Sequence, residues 1–197
     1  MVTIFFVSVI ITILLTPGPT NTLLASSGIQ AGIKKSIRLV PSEVFGYLIS
    51  ITLWGVLLQS VSQYVPWLPS ILKLLSASYI IFLAFKLWKT STQKVKLEQS
   101  TITAKALFCA TLLNPKALLF ASTVFPQTAW SNLSTYLVHM FVFLLLITPI
   151  VFLWIVFGSA LISNKIKWLN QCNLQRTASL ILISFSIPLS YSAILKL

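Results

Sequence analysis

Thr16-Pro17-Gly18-Pro19-Thr20-Asn21 interrupts the first long apolar stretch of the chain, which runs from about Val2 to Ser27. A proline inside a helix lacks the N–H that would bond to the carbonyl four residues earlier, and its ring clashes with that carbonyl. The two prolines would therefore free the carbonyls of Ile13 and Leu15. We predict a broken helix here, with main-chain oxygens that need partners.

The composition excludes a soluble domain. The chain has 197 residues, of which 57% are hydrophobic and 8% are charged, whereas soluble domains carry roughly 25% charged residues. Intrinsic disorder is excluded as well, because it requires low hydrophobicity. The net charge of +12 reflects a shortage of acids, with Glu43 and Glu98 as the two acidic residues. A nucleic-acid partner is not predicted, since it requires clustered cations on a soluble scaffold.

Six apolar segments are each long enough to cross a bilayer core, which takes roughly 20 residues. Main chain that faces lipid must be helical, because its polar groups find no other partners there. We therefore predict an all-α integral membrane protein. Its six transmembrane helices lie at about Val2–Ser27, Leu39–Ser60, Pro66–Trp88, Ala106–Phe125, Leu133–Leu161 and Thr177–Leu195.

The basic residues lie mostly in connectors on one side of the predicted membrane. The other side, which holds both termini, has Lys196. Because cytoplasmic loops carry the excess of Lys and Arg, we expect a bacterial inner-membrane protein with both termini periplasmic or extracellular. The cations of the cytoplasmic side are Lys34, Lys35, Arg38, Lys86, Lys89, Lys94, Lys96, Lys105, Lys165, Lys167 and Arg176.

The longest polar connector, 89–105, divides the chain into two halves with three predicted spans each. We predict a single membrane domain, 1–197, with repeat 1 at about 1–88 and repeat 2 at about 106–197. Because three is odd, the second half would cross the membrane from the opposite face. This inverted repeat is a common plan of secondary transporters.

A second proline motif, Asn114-Pro115-Lys116, interrupts the fourth span, which is the first span of the second half. Pro115 would free the carbonyl of Thr111 beside an amide and an ammonium. Lys116 lies about 11 residues past Lys105, or about 16 Å along a helix, which is near the midplane. Matching interruptions in two halves point to a transporter's binding site. The predicted substrate-binding residues are Thr16, Pro17, Gly18, Pro19, Asn21, Asn114, Pro115 and Lys116.

Glu43 is the acid within the predicted spans. Charges inside membranes are rare and usually functional, and three roles are open. Glu43 could pair with Lys116 or a loop cation, titrate a coupling proton, or bind a substrate ammonium. The plain structural alternative is an acid at a helix start, where the helix dipole favours it. For His139, a hydrogen-bonded packing role is favoured over a proton relay.

Other classes of function fit the sequence less well. Cys109 and Cys172 form no CxxC pair or Cys/His cluster, so neither a metal site, a disulfide framework nor a cofactor is expected. A membrane enzyme would need a nucleophile, yet Ser122 and Lys116 lie six residues apart and on different helical faces. The alternative function is a channel or exporter for metal cations or other small ions. Cation transport would favour buried carboxylates or thiolates, of which the sequence offers only Glu43 and Cys109.

The chain resembles the LysE/RhtB family of bacterial amino-acid exporters. The matching motifs are TPGP at 16–19, LNPKA at 113–117 and FPQ at 125–127. Length, span number and the basic mid-chain connector also agree. The family usually has Asn directly after the second proline, whereas Thr20 intervenes here. The family's glycine-rich start of the second span is also replaced, with Gly46 kept.

The resemblance implies proton-driven efflux of a small zwitterionic amino acid or derivative by alternating access. The substrate carboxylate would meet Lys116, Asn114 and the N–H groups after Pro19. Its ammonium would meet the freed carbonyls and Glu43, which would titrate as the proton-coupling group. The expected partners are the amino-acid substrate, a coupling proton and the lipid bilayer, and a homodimer is left open.

Overall fold

The computed structural model describes residues 2–62, 64–65, 67–90, 102–162 and separate positions between 176 and 194. Within these ranges the chain forms helices and no strands, so the prediction of an all-α protein is confirmed there. A 3-10 turn (Ile37–Leu39) joins the second and third helices, and a π-helical turn (Phe120–Val124) follows the sixth. The helices are α1 (Ile4–Leu15), α2 (Pro19–Ser36), α3 (Val40–Ser62), α4 (Leu68–Thr90), α5 (Ala104–Leu112), α6 (Pro115–Leu119), α7 (Thr128–Ser131) and α8 (Leu133–Ile162).

Two helical stretches in the described part are long and apolar enough to cross a membrane, Pro19–Val61 and Leu133–Ala160. A third candidate is α5 together with Pro115–Val124, two segments that meet at a bend of 41°. The sixth predicted span lies largely outside the described residues, as does most of the connector 89–105. The count of six spans and the inverted repeat therefore stay predictions.

Both proline motifs break their helices, as predicted. Thr16 (φ −69°, ψ 130°) and Gly18 (φ −156°, ψ 179°) are extended, and helix resumes at Pro19. Asn114 (φ −75°, ψ 121°) is extended before Pro115. In both cases a proline takes the first position of the new helix, where its missing N–H removes no helical hydrogen bond.

The connector between the first two predicted spans is helical rather than open. Helix α2 continues through it to Ser36, with a bend at Gly32, whose φ of +71° suits glycine. The hydroxyls of Ser27 and Ser36 share a buried hydrogen bond of 2.8 Å across this bend. The start of α3, which carries Glu43, is therefore fixed relative to α2.

Close helix packing at glycines holds α2 against α8 and α3 against α5. Gly28 of α2 lies against the main chain of Ile155 in α8, and Gly158 of α8 lies against Ala25, so closely that a Cβ at either glycine would clash. A Cβ at Gly46 of α3 would lie 2.7 Å from Cβ of Thr111 in α5. Small residues permit such close approach of helices in membranes.

An aromatic cluster holds the middle of α3 against the turn after the second break. Tyr47 lies edge-on to Phe120, at 6.0 Å between ring centroids, and to Phe143 at 5.9 Å. Phe120 and Phe143 also meet edge to face at 5.0 Å. All three rings are buried, and such pairs add to the stability gained from apolar burial. The Tyr47 hydroxyl is thereby fixed in place.

Candidate functional site

Lys116 connects the two breaks directly. Its Nζ donates a hydrogen bond of 2.5 Å to the main-chain oxygen of Thr16, which is 100 positions away in the chain. The side chain is 6% exposed. A Cβ at Gly18 would lie 3.0 Å from Cε and 3.1 Å from Nζ of Lys116, so the glycine leaves the space that the ammonium occupies.

The oxygens released at the first break belong to Leu14 and Thr16. The Asn21 amide donates to both, at 2.8 and 2.9 Å. Trp154 Nε1 of α8 also donates to the Leu14 oxygen, at 3.4 Å. Asn21, predicted as a site residue, thus folds back onto the end of the helix that precedes it.

The predicted set of released oxygens at the first break was wrong in detail. The Ile13 oxygen accepts from the Thr16 N–H at 3.3 Å and is not free. The prediction assumed a helix that continues through both prolines, whereas α1 ends at Leu15. A helix end releases the carbonyls of its last turn, and the extended residues that follow decide which of them find new partners.

The second break differs from its prediction in the same way. The Thr111 oxygen, expected to be free, accepts from the Asn114 N–H at 3.1 Å. The released oxygen is that of Leu112, to which Ser50 Oγ of α3 donates at 2.9 Å. Asn114 then caps α6, because its Oδ1 accepts from the Lys116 N–H at 3.1 Å.

The Asn114 amide connects the second break to α2 and α3. Its Nδ2 donates to Thr20 Oγ1 at 3.1 Å and to the Tyr47 hydroxyl at 2.9 Å. Thr20 lies in the first turn of α2 and is fully buried. One side chain therefore joins α2, α3 and α6.

Glu43 lies beside this amide network. It occupies the first turn of α3, as predicted, but it is 1% exposed, so it is not a solvated acid at a helix end. Thr20 and Lys116 are the neighbouring groups that act on its carboxylate electrostatically. Its Oε2 has no hydrogen-bond partner among the described residues. The buried carboxylate of Glu43 on α3 and the buried ammonium of Lys116 on α6 thus lie in the same part of the protein.

The sequence did not identify four residues of this site as functional. Thr20 was quoted within the first motif but not assigned a role. Tyr47 follows Glu43 by four residues, and this spacing places both on one face of a helix; that signal could have found it. Ser50 and Trp154 carry no sequence signal, because each acts on a main-chain oxygen that only the fold brings near.

The remaining candidates lie elsewhere. His139 Nδ1 pairs with the Thr135 oxygen at 2.7 Å, and its ring meets Phe6 edge-on at 4.9 Å, an arrangement that suits the packing role. Ser122 shares a hydrogen bond with the Thr123 hydroxyl rather than with Lys116. Cys109 is free and exposed, and Cys172 lies outside the described residues.

Comparison with known proteins gives one family. The family model described as LysE type translocator matches residues 11–193. Cysteine/O-acetylserine efflux proteins from Escherichia coli (strain K12), Shigella sonnei (strain Ss046) and Shigella flexneri serotype 5b (strain 8401) are each 31% identical over 119 residues. The matched part covers 58% of this chain and 61% of each relative. No solved structure matches.

Proposed function

The chain belongs to the LysE type translocator family, whose members are membrane transporters rather than enzymes, and we propose that it exports a small amino acid or derivative. We propose export from the cytoplasm by proton-coupled alternating access. The observation that carries this proposal is the pair of opposite buried charges, Glu43 and Lys116, held beside two broken helices. A zwitterion has one group for each charge.

The carboxylate of the substrate binds at Lys116. Among the described residues, the ammonium of Lys116 donates to one neutral oxygen, that of Thr16, so a carboxylate can replace or share that acceptor. The first N–H groups of α2, on Thr20 and Asn21, have no carbonyl of their own helix to bond. Helix N-termini favour anions. At this end of the site, Pro17, Gly18 and Pro19 set the course of the main chain. Asn114 and Pro115 begin α6.

The ammonium of the substrate binds at Glu43. The carboxylate offers Oε2, which has no partner within the described part of the chain. The oxygens of Leu14 and Thr16 are further acceptors. They lie at the C-terminal end of α1, where the helix dipole is negative. A buried carboxylate is costly unless it is paired, and an ammonium removes that cost.

Glu43 also carries the coupling proton. It is neutralised either by a proton or by the ammonium of the substrate, and both cannot occupy it together. Export of one substrate molecule in exchange for an incoming proton follows from this competition. Glu43 would then hold the substrate ammonium in one open state and the proton in the other.

We propose the predicted topology for this mechanism: two inverted repeats, 1–88 and 106–197, in the bacterial inner membrane with both termini outside. The contact between the two breaks supports it, because inverted repeats meet at the substrate site. A homodimer in the lipid bilayer is part of the same proposal. Cysteine labelling of intact cells tests the orientation. In a variant with Cys109 and Cys172 replaced by serine, Lys105→Cys at an exposed position should not react with a membrane-impermeant reagent, because this position is predicted to be cytoplasmic.

Efflux measurements test the substrate class. Cells that express the protein should release O-acetyl-L-serine or L-cysteine, the compounds named for the relatives, faster than cells without it. Lys116→Ala should remove the difference, because no other ammonium within the described residues lies at the first break. Lys105→Ala, a change of an exposed lysine in α5, is the matched control. Unchanged efflux in Lys116→Ala would exclude the proposed site.

Reconstitution tests the coupling. In proteoliposomes, a pH gradient should drive transport by the unaltered protein. Glu43→Gln keeps the shape of the side chain but cannot titrate, so it should lose the response to the gradient. Gradient-driven transport by Glu43→Gln equal to that of the unaltered protein would remove Glu43 from the coupling.

A further inference from the structure

A layer of aromatic side chains lies between the candidate site and the N-terminal end of α1. The Phe125 ring stacks on that of Trp130 at 5.5 Å between ring centroids, and it meets Phe6 edge-on at 5.5 Å. It also lies 6.0 Å from the ring of Phe143. These rings belong to the end of the π-helical turn, α7, α1 and α8. The layer therefore joins the helix of the first break to the segment that follows the second break.

The layer lies on one side of the site along both of these elements. Phe6 precedes Thr16 by ten residues in the chain, and Phe125 follows Lys116 by nine. At 1.5 Å per helical residue these separations are about 15 Å and about 13 Å. The proposed topology has α1 enter the membrane from the outer face, so this layer lies between the site and the outside.

Trp130 fills a space that a glycine leaves open on α3. A Cβ at Gly55 would clash with three carbon atoms of the indole ring, so a larger residue would displace the ring. Tyr136 lies beside the same ring at 6.1 Å between centroids. Its hydroxyl shares a hydrogen bond of 2.7 Å with Thr52 Oγ1 of α3. Trp130 thus closes the layer against α3.

The indole N–H of Trp130 is buried and has no hydrogen-bond partner within the described part of the chain. A buried tryptophan usually has a partner for this group, and a buried donor left unpaired costs free energy. Ring contacts therefore hold the stacked position against this cost. Tryptophan is favoured at the membrane–water interface, where the N–H can reach water. A movement of the ring from Gly55 toward the interface would remove the cost.

Trp130 belongs to a short segment that can move as one piece. Helix α7 has four residues, and it lies between two extended residues, Phe125 (φ −67°, ψ 135°) and Asn132 (φ −131°, ψ 113°). The N–H of Trp130 donates to the Gln127 oxygen at 3.1 Å, and that of Asn132 donates to the Thr128 oxygen at 3.0 Å. Rotation at the two extended residues can therefore move Trp130 while these internal hydrogen bonds stay intact.

We propose that Trp130 is the gate of the outer exit. Stacked on Phe125 and packed on Gly55, its ring closes the site from the outside, and its departure opens the path by which the substrate leaves. The inference rests on the proposed export function, because alternating access requires a site that opens to one face at a time. It also gives a role to the FPQ motif at 125–127, which the proposed function leaves without one.

Thiol labelling at the site measures whether the gate is open. In the variant without Cys109 and Cys172, Ser50→Cys places a thiol on α3, five residues before Gly55 and beside the second break. Intact cells are treated with a membrane-impermeant methanethiosulfonate, and the labelled fraction is followed over time. If the Lys105→Cys measurement shows the opposite orientation, inside-out vesicles replace intact cells.

Trp130→Ala should raise the labelling rate of the Ser50→Cys thiol about five-fold, the usual effect of losing one aromatic pair. The matched control is Trp67→Ala, which removes an exposed tryptophan and should keep the rate within about two-fold. An unchanged rate in Trp130→Ala overturns the inference. An equal rise in Trp67→Ala overturns it as well, because the effect would not be specific to the gate.

A second thiol detects a merely structural role of Trp130. Ser27 is buried near the bend of α2, where its hydroxyl bonds to that of Ser36, on the predicted cytoplasmic side. Labelling of Ser27→Cys should not change in Trp130→Ala. A rise as large as that at Ser50→Cys would show general loosening of the helices and would overturn the inference.

Gly55→Ala tests the same gate without removing the tryptophan. The added methyl group would displace the ring, so the labelling rate of Ser50→Cys should rise as in Trp130→Ala. If Trp130→Ala does not reach the membrane, Gly55→Ala decides, and an unchanged rate overturns the inference.

The labelling needs no substrate, so its failure differs from a failure of the proposed function. If Lys116→Ala leaves efflux unchanged, the proposed site is wrong. If efflux depends on Lys116 while Trp130→Ala labels as slowly as its parent, only the gate is wrong.

Discussion

The two proline breaks contribute different kinds of group to the site they share. The first break contributes main-chain oxygens, those of Leu14 and Thr16. The second contributes side chains, the amide of Asn114 and the ammonium of Lys116. Each therefore supplies what the other lacks, because an oxygen at a helix end needs a donor.

The two breaks also differ in how they are stabilised. Asn21 satisfies the Leu14 oxygen from only seven residues away. Ser50 satisfies the Leu112 oxygen from 62 residues away. The first break is followed by a long helix (α2), whereas the second leads into five residues (α6) and a π-helical turn. The first break thus has a nearby donor, Asn21, for both of its oxygens, whereas the Leu112 oxygen of the second break depends on α3.

Among the substitutions at the two breaks, Asn21→Ala should cause the largest loss of stability. The change removes two buried hydrogen bonds at the first break, with an expected loss of stability of about 2 kcal/mol. Thermal unfolding in detergent measures it. The control is Asn132→Ala, which removes an exposed helix cap and should cost about 0.5–1 kcal/mol. Equal effects of the two changes would contradict a first break held by Asn21.

Gly18→Ala should have the next largest effect, on affinity rather than on stability. The backbone at Gly18 is extended, so alanine can adopt it. The new methyl group would push the Lys116 ammonium from the Thr16 oxygen. The displaced ammonium would no longer lie where the substrate carboxylate binds, which predicts an affinity for O-acetyl-L-serine that is lower by about three- to ten-fold. Ligand-dependent thermal stabilisation measures this affinity, and an unchanged value would contradict the close packing of Gly18 on Lys116.

Ser50→Ala tests whether the second break depends on α3. The change leaves the Leu112 oxygen without its donor, and we expect a stability loss of about 1 kcal/mol. The matched control is Ser60→Ala, whose exposed hydroxyl bonds within its own helix and which should stay within about 0.5 kcal/mol. If both variants melt like the unaltered protein, α3 does not hold the second break.

Pro115→Ala should have the smallest effect on stability. The proline occupies the first position of α6, where an added N–H gains no helical partner. The Asn114 cap and the Ser50 contact should keep the break open, with a change of less than about 0.5 kcal/mol. A large increase in melting temperature would mean that the proline alone separates α5 from α6.

Sequence reasoning found the positions of the breaks but not the atoms that they release. By counting back from each proline it assigned free oxygens to Ile13 and Thr111, and each of these accepts from a main-chain N–H. In the structure the chain leaves the helix before the proline, so the hydrogen bonds of the last turn rearrange. Local sequence predicts where a helix ends more readily than it predicts how the end is capped.

The sequence by itself determined that the chain is helical and apolar, that two motifs break helices, and that Lys116 and Glu43 stand out as charges in apolar segments. Composition and proline stereochemistry act locally, so they can be interpreted without a fold. Only the tertiary structure decided that Lys116 meets Thr16 and that Asn114 meets Thr20 and Tyr47. Those partners lie 67 to 100 positions apart, and contacts at such separations depend on how the helices pack rather than on local sequence.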